Sequence, residues 1–222
     1  MESRLAVVVA LSLVPALSVP AQATGDSAST RAGPRELLPR DREIALARSA
    51  APASVSDSAA VYVFGRDGYE IAVRGSNGVA CYVSRSWPTS LEPHCHDGEG
   101  AATILPMEMR RVELLHRGTA PGAVERDIAD GLANGRYRLP RRPAMSWMMS
   151  SAQRLISDDG RPAGAWRPHL MIYFPFLTGS ELGLGAAPDP RHAILVDGGK
   201  PTSNLMIVVA EFINPKETTP PK

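Results

Sequence analysis

Between Ala60 and Ser84 the chain must reverse direction twice within a few residues. Three short runs, Ala60 to Phe64, Tyr69 to Arg74 and Val79 to Ser84, are rich in Val, Ile, Tyr and Phe. They are separated by Gly65-Arg66-Asp67-Gly68 and Gly75-Ser76-Asn77-Gly78. Asp-Gly and Asn-Gly accept positive φ at little steric cost, so each spacer fits a tight reversal. In the middle run Tyr69, Ile71 and Val73 alternate with Glu70, Ala72 and Arg74, the period-two pattern of a strand with one buried face. The spacing predicts an antiparallel meander.

Helical spacing appears on either side of it. Asp41 is placed to cap a short helix that turns Ile44, Leu46 and Ala47 inward and stops at Pro52. Met109, Val112 and Leu115 recur at helical spacing within Met107 to Arg117. Val124, Ile128 and Leu132 do so between Pro121 and Asn134-Gly135. From Ala144 onward Met145, Met148 or Met149, Ala152 and Ile156 also fit one face of a helix, ended by Asp158-Asp159-Gly160. A second group of strands is expected over His169 to Phe174, Ala193 to Val196 and Leu205 to Phe212. The order of strands, helices and strands predicts an α+β fold, an antiparallel meander sheet with several helices packed against it, in a single globular domain over residues 41–214.

The ends read differently. Arg4, the apolar run Leu5 to Val14 and the small-x-small triplet Ala21-Gln22-Ala23 form the n, h and c regions of a signal peptide over residues 1–23. Residues 24–40 start with Ser, Ala, Gly, Thr and Pro and no apolar period, which predicts a flexible leader; 215–222, rich in Pro, Thr and Lys, predict a disordered tail. No later stretch approaches the roughly 20 apolar residues of a membrane span, so the cleaved product is expected to be periplasmic or extracellular.

Lys plus Arg number 24 and Asp plus Glu 23. That balance gives no electrostatic reason to expect nucleic acid or an acidic membrane surface as a partner. The 2 cysteines, Cys81 and Cys95, are expected to form a disulfide in an oxidising compartment. The bridge would tie the third strand to a polar loop, Pro93 to Gly100, that follows it.

Gly68-Tyr69, Asn77-Gly78, the run Ala144-Met145-Ser146-Trp147-Met148-Met149-Ser150 and Trp166-Arg167-Pro168-His169-Leu170-Met171 are similar to segments of a family of uncharacterised exported bacterial proteins. The resemblance covers roughly Glu43 to Val196 and implies export, but no activity and no ligand set. Histidine is frequent in that family where this chain has Arg167, and tyrosine where it has Trp147. A metal role for a histidine pair there is therefore not carried over to His169.

Three groups carry candidate chemistry. His94 and His96 lie two apart, so on extended chain both imidazoles point the same way, and Glu92 or Asp97 would complete a metal shell; a solvated loop is the competing reading. His169 opens an apolar strand, with Asp197 or Glu211 as an orienting carboxylate for a catalytic base; a histidine hydrogen-bonded to backbone competes with it. Met145, Trp147 and Met148 are candidates for a ligand pocket, against plain core packing. No Gly-x-Ser-x-Gly elbow, phosphate loop or dinucleotide fingerprint is complete, and no cofactor is expected. The expected function is non-catalytic: an exported binding or accessory protein of the bacterial cell envelope, with a small molecule or envelope protein as partner. The alternative is a small hydrolase or metal-dependent enzyme centred on His169.

Overall fold

The computed structural model describes residues 31–184 and 193–216. The signal peptide, the first part of the leader, the end of the glycine-rich stretch after Leu184 and the tail beyond Lys216 lie outside the described residues. Helices α1 (Arg40–Arg48), α2 (Ala53–Ser56), α3 (Gly98–His116) and α4 (Pro121–Ala133) accompany strands β1 (Ala60–Gly65), β2 (Gly68–Val73), β3 (Ala80–Ser84), β4 (Glu92–His96), β5 (Ala144–Met148), β6 (Leu155–Ile156), β7 (Pro162–Gly164), β8 (His169–Tyr173), β9 (Ile194–Val196) and β10 (Asn204–Val208). The fold is α+β, with an 8-stranded sheet in the order β2-β1-β3-β4-β5-β8-β10-β9 and a 2-stranded hairpin of β6 and β7.

The sheet is mostly antiparallel but does not begin as the expected meander. β1 and β2 form the hairpin that Arg66-Asp67 allows, with Gly65 opposite Gly68 at φ 129°. The chain then crosses beneath the start of β1, and β3 pairs with β1 in parallel through Ala60↔Ala80 and Val61↔Cys81. Gly75 makes the crossing: a Cβ there would lie 2.1 Å from the Ala60 nitrogen, so only glycine lets the backbones pass this closely. Ser76 N–H donates to Ser58 C=O and Ala60 N–H to Val79 C=O, both at 2.9 Å, which fixes the crossover.

Two further expectations are corrected. Pro93 to Gly100 is not a loop: β4 is an interior strand that pairs with β3 and β5, and Asp97 caps α3 by accepting from Gly100 N–H at 2.7 Å. Ala144 to Met148 is not helical. It is β5, paired with β4 and β8, and Ala144, Ser146 and Met148 are buried while Met145 and Trp147 are half-buried on the other face. At the N-terminal side, Asp41 sits inside the first turn of α1, whose N-cap is Pro39 without a side-chain bond. Residues 31–39 pack against the protein: the guanidinium of Arg35 donates to the carbonyls of Arg85 and Ser86, and Gly33 N–H to Leu115 C=O.

Helices pack on both faces of the sheet. On one face α1 packs Leu46 and Ala47 against Val61, Cys81, Val83 and Cys95. The pair Arg85 and Glu43 is buried there with Nη2 and Oε2 2.9 Å apart, and Phe64 N–H donates to Glu43 Oε1. On the other face Ile104 and Met107 of α3 and Ile128 of α4 pack over Ala144, Met148, Met171 and Tyr173. Period two sends His94, His96, Ser146, His169, Met171 and Tyr173 to this second face, where the helices do not fill all the space.

Candidate metal centre

Cys81 and Cys95 are bonded and stand directly opposite each other on β3 and β4. Their side chains enter the α1 core, so the neighbours of Cys95, His94 and His96, must point to the opposite face. There the two imidazoles stack with centroids 5.9 Å apart and planes inclined by 20°. Tyr82, directly opposite His94 on β3, flanks both rings.

The third member comes from α3. Glu108 lies in the stripe Ile104, Glu108, Val112, Leu115 that α3 turns to the sheet, and its Oε2 is 3.0 Å from His96 Nε2. The Tyr82 hydroxyl donates to the same oxygen and the Tyr173 hydroxyl to Oε1 at 3.2 Å. His94, His96 and Glu108 each offer one donor atom within 4.8 Å of the others. Gly100 keeps the site narrow, because a Cβ there would meet His96 Nδ1 at 3.0 Å.

Electrostatics prepares the donors. Burial drives the His94 pKa down to about 3, with His96 and His169 adding to the fall and Glu108 opposing it, so His94 is neutral with a free lone pair. Burial alone would raise Glu108, but His96, His94 and the Tyr82 hydroxyl outweigh it and hold the carboxyl at about 2. Burial first and Glu108 second raise both tyrosines well above the phenol range, so they remain hydrogen-bond donors. Two imidazoles and one oriented carboxylate are the donor set of zinc and iron(II) sites that keep open positions. Donors of a tetrahedral zinc shell lie about 3.3 Å apart, so a small opening of the His96–Glu108 contact admits an ion.

His94 and Glu108 form part of the wall of a cleft of about 700 Å³ that runs between α3, α4 and strands β5, β8 and β10. His169 and Asp197 line the same cleft without meeting. His169 is 1% exposed; its Nδ1 donates to the Arg167 carbonyl at 2.7 Å, and Nε2 has no partner. Asp197 instead holds Lys200 at 2.9 Å and accepts from Thr202 at 3.2 Å, while Glu211 is exposed. Of the pocket candidates Met148 lines the cleft, whereas Met145 and Trp147 face away and Trp147 packs against the α1 core. Neither carboxylate paired with the histidines in the sequence reading joins them. Glu92 accepts from Ser86 N–H and Oγ–H, and Asp97 caps α3. Glu108 was missed, though an acid in the middle of the apolar stripe of α3 was the signal for it.

A smaller groove of about 390 Å³ on the α1 side is lined by Ile44, Ala51 and Ile213 together with polar residues such as Asp41 and Arg48. No family model, curated protein or solved structure matches this chain.

Proposed function

We propose that this is an exported metal-binding protein whose centre is His94, His96 and Glu108, with the ion's open coordination side facing the cleft. The observation that carries the reading is the convergence of three donors, two on β4 and one on α3, within 4.8 Å on a buried face. A carboxylate held by two phenols supports it, because ligands oriented by a second layer of hydrogen bonds bind metal more tightly. The signal-peptide pattern and the disulfide favour an exported setting. An ion held by His94, His96 and Glu108 would supply Lewis-acid chemistry at the cleft, polarising a carbonyl or a bound water. A hydrolase built on His169 has less support, because neither Asp197 nor Glu211 orients its ring.

The test is calorimetric titration of the chelator-stripped exported chain with Zn²⁺. Saturable binding of one ion is expected, and His94→Ala or His96→Ala, checked for folding by circular dichroism, should weaken it roughly 100-fold. Absence of binding to the wild type, or equal binding by both variants, contradicts the proposal.

A further inference from the structure

The cleft holds a second group of ligating atoms that the His94–His96–Glu108 centre does not use. Met107, Met148, Met171 and Met206 all line it, together with His169. The sheet register brings most of them together: Met148 on β5 is directly opposite His169 on β8, and Met171, two residues along β8 on the same face, is directly opposite Met206 on β10. Residues opposed across antiparallel strands have Cβ atoms about 4.5–5.5 Å apart and diagonal neighbours about 7–8 Å, within reach of long side chains. Methionine is unbranched, and rotation about two side-chain bonds moves its sulfur toward a common point.

His169 supplies the independent observation. Its Nδ1–H is committed to the Arg167 carbonyl, so the tautomer leaves the Nε2 lone pair free. That atom is buried and has no hydrogen-bond partner, and its residue lines the same cleft as the methionines. A buried acceptor without a partner is costly, and a cation at that point relieves it. The Trp166 ring stands 6.4 Å from the imidazole, half exposed at the mouth.

We infer that His169, Met148, Met171 and Met206 form a second metal site in the cleft, for a soft monovalent ion of the copper(I) class. Thioether sulfur with one neutral imidazole selects copper(I) over zinc, whereas the two-imidazole, one-carboxylate set selects divalent ions. Its ligands are different residues from those of the first site, although both sets line the same cleft.

The test is anaerobic titration of the full exported chain with copper(I) against a chromogenic copper(I) chelator, with silver(I) as a redox-inert control. The wild type is expected to withdraw one copper(I) ion from the chelator. Met148→Leu/Met171→Leu, which keeps apolar volume, and His169→Ala should each weaken this roughly 10- to 100-fold and leave Zn²⁺ binding unchanged. No uptake by the wild type overturns the inference, and so does undiminished uptake by Met148→Leu/Met171→Leu. Loss of copper(I) binding in His94→Ala/His96→Ala, with His169→Ala silent, also overturns it. X-ray absorption at the copper edge of the wild type needs no variant to fold. Sulfur scatterers with one nitrogen are expected, and a shell of nitrogen and oxygen alone contradicts the site.

Discussion

His96 Nε2 lies 3.0 Å from Glu108 Oε2, although 12 positions and a change from strand to helix separate them. Asp97 makes this meeting local in sequence by ending β4 and capping α3 in one residue, so the strand that carries the histidines is followed at once by the helix that carries the acid. Glu108→Gln keeps the shape of the side chain but not its charge, so metal affinity should fall roughly 100-fold with the fold retained. Glu108→Ala also strips Tyr82, Tyr173 and His96 of an acceptor, and is expected to lower stability by about 2–4 kcal/mol. Urea unfolding of the two variants beside Zn²⁺ titration checks both.

Acid should unfold the protein earlier than its net charge suggests. The folded-state pKa of His94 is about 3, below the ordinary 6.5, so the unfolded chain binds the extra proton between those values. Stability is therefore fully present above pH 6.5 and lost at about 1.4 kcal/mol per pH unit as pH falls toward 3. Glu108, held at about 2 against an ordinary 4.5, adds a loss in the same direction between pH 4.5 and 2. Unfolding free energy is expected to be about 2 kcal/mol lower at pH 5 than at pH 7.5, and His94→Gln should flatten that slope. A slope unchanged in His94→Gln would assign the acid sensitivity to other groups.

The disulfide should act on the centre as well as on the fold. Cys95 lies between His94 and His96, and its bond to Cys81 pins β4 to β3 at the directly opposed pair. Closing a loop with a sequence separation of 14 stabilises by about 3 kcal/mol in the chain-entropy model. Cys81→Ser/Cys95→Ser is expected to lose about that much in urea unfolding and to bind Zn²⁺ roughly tenfold more weakly. Equal affinity before and after reduction would separate the staple from the site.

Much of the scaffold was legible in the sequence. The β1–β2 hairpin follows from Asp67-Gly68, and α4 from Val124, Ile128 and Leu132 at a spacing of four between Pro121 and Asn134. The crossover was hidden because Asn77-Gly78 marks a reversal without saying which strand the chain then joins; the contact of Gly75 with Ala60 decides that, and it is a tertiary fact. β5 reads as helix in the sequence because its buried face carries Ser146 between Ala144 and Met148, which breaks the apolar alternation. β4 reads as loop for a related reason: Pro93, His94 and His96 are polar or strand-breaking by type, and their burial depends on Glu108, Tyr82 and Tyr173 from other elements. The shared direction of His94 and His96 was readable from their spacing. Their partner was not, since the nearby Glu92 and Asp97 competed with a helix residue whose approach only the packing of α3 reveals.

The central claim is tested most directly by the visible absorption spectrum of the chelator-stripped protein with Co²⁺, which reports ligand number and geometry in place of zinc. We predict intense ligand-field bands in the wild type that saturate at one equivalent, are displaced by Zn²⁺ and vanish in His94→Ala/His96→Ala. A spectrum identical to that of aqueous Co²⁺, or bands that persist in His94→Ala/His96→Ala, would contradict the assignment of His94, His96 and Glu108 as a metal centre.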